Sequence, residues 1–211
     1  YINVTERIKK TGKQAGSGSI KYHMESAFNG SKKSKAKWNY NGLIPHIILN
    51  YIWFKSNGDY QKILDKTFKE KSRIKDSVLF RTVKGKSYDD GLLVNSFHAS
   101  RYDYLRISKA MLDDWQNDTC VGKYLKTIYK NKVKKNDKWK DEKSSWFNPK
   151  GYAGFFHTDY SGMNKRSVMG MDGYGGQSII IDFDLGRIIV INSIHTNYNW
   201  KKIAHSVIKK D

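Results

Sequence analysis

The sequence predicts an α+β domain: an antiparallel sheet with a C-terminal helix packed on it and a helical region beside it. Helix-period apolar stripes dominate up to about residue 130, whereas strand-like runs dominate from Tyr152. A last amphipathic stretch, Tyr198 to Lys209, closes the chain. Helices first, then a meander of strands, then one helix, is the order of an α+β architecture. The chain is read as one partial domain in three parts: an irregular basic segment at 1–37, a mainly helical region at 38–150, and the sheet with its helix at 151–211.

Residues 1–37 carry Gly12, Gly16, Gly18 and Gly30, which interrupt any helical period. From Leu43 to Phe54 the residues Leu43, Ile44, Ile47, Ile48, Tyr51 and Ile52 form one stripe. Pro45 falls in its first turn, where a missing N–H costs nothing. Asn57-Gly58 makes a turn, and a second helix starts near Asp59 with Ile63, Leu64 and Phe68 inward. Ser100 and Asp103 read as a capping box in which serine accepts from the backbone and the carboxylate reaches back. Ile107, Met111 and Trp115 follow at helical spacing, and residues 121–130 continue as another helix. Residues 131–150 read as a lysine-rich connection. Tyr152 to Thr158 reads as one strand, Gln177 to Phe183 as a second and Arg187 to Ile194 as a third. Asp184-Leu185-Gly186 joins the last two as a tight hairpin. In the closing helix Trp200, Ile203, Ala204 and Val207 are assigned inward.

Composition narrows the classes. Aromatics at 14% argue against a disordered chain, which lacks groups to bury. A formal net charge of +19 attracts anions, including anionic polymers, without choosing among them. Nucleic acid is disfavoured, because lysines outnumber arginines and no nucleic-acid motif appears, although the Lys123–Lys143 run interleaves Tyr124, Tyr129 and Trp139. The single Cys120 excludes an internal disulfide and a thiolate zinc site. The six histidines show no metal-ligand spacing and read as structural or surface residues, so no metal and no cofactor is expected. No apolar run approaches the roughly 18 residues of a membrane span.

The stretch richest in chemistry is Gly170-Met171-Asp172-Gly173-Tyr174-Gly175-Gly176-Gln177, which enters the strand at Ser178. Glycines before a strand leave backbone bare, so substrate can lie against the edge and an N–H can face a developing oxyanion. The bland alternative is a glycine-rich turn into a core strand.

The segment from Val168 to Ile194, VMGMDGYGGQSIIIDFDLGRIIVINSI, resembles the third-motif region of serine β-lactamase-related and penicillin-binding-protein-like hydrolases. The likeness is to the class C, esterase and nylon-oligomer hydrolase branch, where a K-T-G or H-x-G triplet lines an edge strand. Here the triplet is Met171-Asp172-Gly173, without the usual Lys or His. KWNYNGLIPHIILNYIW resembles the Y-x-N segment, with Tyr40 at the tyrosine and Gly42 in place of the asparagine. HASRYDYLRISKAMLDDW and GYAGFFHTDYSGM resemble the family's following helix and the strand before the third motif. The likeness covers about residues 38–208.

The resemblance implies acyl transfer through a serine ester on a small-molecule or peptide-like substrate. Tyr40 would share general-base work, the Tyr174 N–H would serve the oxyanion, and Asp172, Gly173 and Gln177 would line the substrate. Tyr40 would then share a cleft with Asp172, Gly173 and Tyr174. The family's S-x-x-K nucleophile motif is expected ahead of Tyr1. Ser34-Lys35-Ala36-Lys37 fits that pattern literally but lies in a polar lysine run and reads as solvated surface. A periplasmic or extracytoplasmic location follows from the resemblance alone. Two other classes remain beside the enzyme: a non-catalytic binding protein of the same fold, and a basic nucleic-acid binder.

Overall fold

In a computed structural model, the structure describes residues 38, 45, 48–49, 51–52, 55–57, 59–76, 78–83, 92–135, 148–163, 165–173, 176–192 and 200–209. The chain divides into two compact units, residues 1–66 with 78–98, and residues 67–77 with 99–211.

In the first unit, the described residues between 45 and 52 are helical, as is Lys55, in agreement with the expected helix, but Ile48 and Tyr51 of the stripe are exposed while Leu49, outside it, is buried. Helix α1 (Tyr60–Leu64) starts where Asp59 accepts a hydrogen bond from the Lys62 N–H, and it runs on as a π-helical stretch, Asp65–Lys71. Leu64 is buried but Ile63 is exposed, which corrects its inward assignment. Strands β1 (Leu79–Val83) and β2 (Leu92–His98) pair antiparallel, with a bulge between Phe80 and Thr82. The stretch expected to be mainly helical therefore also holds a two-stranded sheet.

The second unit is built on a six-stranded antiparallel meander. Its strands are β3 (Val133–Lys134), β4 (Pro149–Ala153), β5 (Phe156–Tyr160), β6 (Val168–Asp172), β7 (Ser178–Asp182) and β8 (Arg187–Ile191), and each pairs with the next in sequence. The single strand expected at Tyr152–Thr158 is two strands, parted by a turn in which Gly154 and Phe155 take φ of +51° and +72°. An aromatic residue in that backbone region is uncommon, so the turn leaves no ordinary sequence signal. The β7–β8 hairpin forms where expected: Gly186 has φ +68°, and Asp182 Oδ1 accepts from the N–H groups of Asp184 and Leu185.

All of β7 is buried, because both faces of the sheet are covered. On one face lie helices α2 (Arg101–Gln116) and α3 (Cys120–Lys130). There Leu112 and Leu125 meet Phe156, Met169, Ile179 and Ile181, and Trp115 stacks on Phe183 at 4.3 Å. Gly122 lets α3 approach α2, since a Cβ there would lie 1.9 Å from the Asp114 carbonyl oxygen. On the other face helix α4 (Trp200–Lys209) places Ala204 and Ile208 against Tyr160, Val168 and Ile180. Ile203 and Val207 point outward instead of inward. Arg166 and Arg187 both donate to the Ile208 carbonyl oxygen at 2.9 Å, and this fixes which face of α4 meets the sheet.

Ser100 caps α2 by accepting from the Asp103 N–H at 3.2 Å. The Asp103 carboxylate does reach back to Ser100, but to its hydroxyl, which donates at 3.2 Å, and not to its backbone N–H. The carboxylate also accepts from the N–H groups of Lys75 and Asp76, both at 3.0 Å, and from Arg106 at 2.6 Å.

Candidate functional site

Strands β5, β6 and β7 bring a set of polar side chains to the α4 face of the sheet. Alternation places Gly170 and Asp172 of β6, and Ser178, Ile180 and Asp182 of β7, on that face. The register sets His157 opposite Gly170 and Asp172 opposite Ser178. Gly170 contributes no side chain, and the Tyr160 ring occupies the space above it.

Asp172 is the centre of the cluster. Ser178 Oγ donates to its Oδ1 at 2.6 Å, and His157 Nε2 lies 3.5 Å from its Oδ2. Lys135 Nζ lies 3.3 Å from His157 Nδ1. A lysine ammonium can only donate, so Nδ1 accepts and the proton of the neutral ring sits on Nε2, toward the carboxylate. The Tyr152 ring meets the imidazole edge-on at 5.4 Å. Ser178 and Tyr160 are buried, whereas the Asp172 side chain keeps 34% of its surface and opens the cluster to solvent.

Burial lowers the His157 pKa, the Asp172 charge raises it, and Lys135 and Lys201 lower it again, leaving it below the usual histidine value. Burial likewise pushes Lys135 below the ordinary lysine value, against the pull of Asp172 and with the help of Lys201. The buried Tyr160 phenol is pushed well above its usual range, by burial first and then by the Asp172 charge. At neutral pH these groups can bind, orient and exchange protons. Ser178 gives its proton to the Asp172 carboxylate and not to an imidazole, so the cluster is no Ser–His nucleophile pair.

The residues singled out in the sequence have different fates. Asp172 lies in this cluster. Gly173 and Gln177 close the turn between β6 and β7: the Gly173 N–H donates to the Gln177 carbonyl at 2.8 Å, and a Cβ on Gly173 would lie 3.1 Å from Gln177 Oε1. Gln177 Oε1 is buried and accepts no hydrogen bond among the described residues. Tyr40 and Tyr174, and with them the expected closeness of phenol and oxyanion donor, lie outside the described residues. Sequence reasoning missed His157 and Lys135. The one signal for His157 was the HTD triplet in a strand-like run, which gains meaning only from strand register; Lys135 was one lysine among many in the 131–150 stretch.

Among the described residues, no three His, Cys, Asp or Glu side chains gather where a metal ion could be held. No helix among them is long and apolar enough to cross a membrane. No family model, curated protein or solved structure matches the chain.

Proposed function

We propose that this protein is a serine acyl hydrolase of the β-lactamase-related type, cleaving an ester, amide or β-lactam-like bond through an acyl-serine. One observation carries the reading. Asp172-Gly173 ends a sheet strand at a glycine-rich turn, and His157 and Lys135 from neighbouring parts of the sheet flank it. The Met171-Asp172-Gly173 triplet has no cation of its own; the Lys135 ammonium, reaching the neutral His157 ring beside Asp172, brings positive charge to the same strand end.

In this proposal the attacking serine and its lysine come from sequence ahead of Tyr1. Tyr40 shares the proton transfer, within about 3 Å of the reacting oxygen. The Tyr174 N–H steadies the oxyanion, where one well-placed donor is worth about 100-fold or more in rate. Because β6 is an interior strand paired with both β5 and β7, and not the edge strand the resemblance implies, Asp172, Gly173 and Gln177 hold the substrate at the turn that ends it.

A non-catalytic binding protein of the same fold is the second reading, favoured by Met171 and Gly42 standing where the family has a cation and an asparagine. Nucleic-acid binding has less support, because two lysines of the basic run are engaged within the fold, Lys126 with Asp118 and Lys132 with Asp159. A fluorophosphonate probe on the full-length protein separates the first two. Covalent labelling of one serine, blocked by prior acylation, supports the hydrolase; a folded protein that takes no label overturns it in favour of the binder.

A further inference from the structure

Two lysines three residues apart at the start of the sheet meet opposite surroundings. Lys132 Nζ lies 2.5 Å from Asp159 Oδ1 and 4.0 Å from the centre of the Tyr129 ring. Burial works against its charge, but Asp159 and Tyr129 outweigh it, and its pKa rises. Lys135 is anchored differently. Its backbone N–H donates to the Lys150 carbonyl at 2.8 Å, just beyond β3, and its half-buried side chain ends at the imidazole of His157. Three elements face it with titratable groups: β5 with the neutral His157 imidazole, β6 with the Asp172 carboxylate and α4 with Lys201. Tyr152 of β4 packs against the imidazole.

An amine set against an imidazole nitrogen, with a carboxylate behind that imidazole, has the parts of an activated nucleophile: the attacking atom, a proton acceptor and a group that offsets the acceptor's charge. We propose that Lys135 is a nucleophilic amine site that condenses with the carbonyl group of an aldehyde or ketone, with His157 as its base. His157 Nδ1 takes one ammonium proton, and Asp172 offsets the imidazolium charge across the 3.5 Å contact at Nε2. The freed lone pair on Nζ forms the C–N bond. The carbonyl π pair moves to oxygen, which receives the proton from His157 and becomes a hydroxyl. Loss of that hydroxyl with a second nitrogen proton releases water and leaves a protonated imine, which keeps the third nitrogen proton and the positive charge. No oxidant or reductant enters the step. The step draws on the same Asp172, His157 and Lys135 as the acyl-hydrolase proposal but needs no serine, so it does not rest on that proposal.

The test is reductive methylation of the full chain with formaldehyde and cyanoborohydride over a series of pH values, read lysine by lysine by peptide mass spectrometry. Lys123 and Lys130, exposed on α3, serve as internal references. Lys135 is expected to react several times faster than both near pH 7, with its rate rising at lower pH than theirs. Asp172→Asn removes the anion that favours the ammonium, so the Lys135 profile should move to still lower pH. His157→Gln should slow Lys135 without changing the references. Lys135 reacting no faster than Lys123 and Lys130 in the unaltered protein would overturn the proposal. So would an Asp172→Asn profile displaced upward, or an unchanged rate in a folded His157→Gln variant.

Discussion

The phenol oxygen of Tyr160 lies so close to Gly170 that a Cβ on the glycine would sit 2.0 Å from it, and 3.0 Å from the Ile179 carbonyl oxygen. Neither obstacle can move cheaply: the ring is buried and the carbonyl belongs to the fully buried strand β7. Gly170→Ala should therefore cost about 1–3 kcal/mol by overpacking. Tyr160→Phe removes the nearer obstacle, so the double variant should recover part of the loss. Urea unfolding of the two single variants and the double variant measures the coupling.

Asp103 should set the acid limit of the second unit. Burial alone would push its carboxyl up. Hydrogen bonds from Lys75, Arg106, Asp76 and Ser100 outweigh that and hold the pKa at about 2, against an ordinary 3.8. A carboxyl with a depressed folded pKa stabilises the fold above its unfolded value. That contribution fades as pH falls from about 4 to about 2. Asp103→Asn should cost about 1.5–3 kcal/mol at neutral pH. Its stability should also fall less steeply than the parent's between pH 4 and pH 2 in parallel denaturant titrations.

His157 acts in a higher window. Its folded pKa lies below the ordinary 6.5, chiefly through burial, so the unfolded chain binds the proton more readily. Stability contributed by this residue is complete above pH 6.5. It declines as pH falls below that value, and levels off once the folded imidazole is also protonated. His157→Gln should flatten the stability profile just below neutrality. A profile as steep as the parent's would mean that another group carries the effect.

Tyr40 gives the kinetic test of the acyl-hydrolase proposal. In the full-length protein Tyr40→Phe should lower kcat by about 100-fold to 10,000-fold on an ester substrate, with KM little altered. Turnover equal to that of the parent would remove Tyr40 from the chemistry.

Parts of this fold were legible because single residues dictate local geometry. Ser100 announces the start of α2, Gly186 the β7–β8 turn, and the β-branched apolar run of β7 a strand. The β4–β5 turn was hidden because Phe155 adopts a backbone region that aromatic residues seldom enter. The orientation of α4 was hidden for another reason. Its apolar residues are spread widely enough that two stripes compete, and the hold of Arg166 and Arg187 on the Ile208 carbonyl selects one. At the candidate site, Asp172 stood out beside its glycines. His157 and Lys135 did not, since they meet it through strand pairing across 15 and 37 residues of chain.

The strictly sequential strand order has a kinetic consequence. Each strand of the meander finds its partner one short excursion along the chain, except across the longer stretch between β3 and β4. Loop closure is thus inexpensive at most steps, and contacts of short sequence separation favour rapid folding. The sheet can grow hairpin by hairpin from residue 149 to residue 191. During synthesis α2 and α3 emerge first and offer a surface on which those hairpins can collect. The face bearing His157 and Asp172 stays open until α4 is made, so the cluster, already joined by strand pairing, is the last part to be covered, when Trp200–Lys209 docks and the Ile208 carbonyl takes its place between the two arginines.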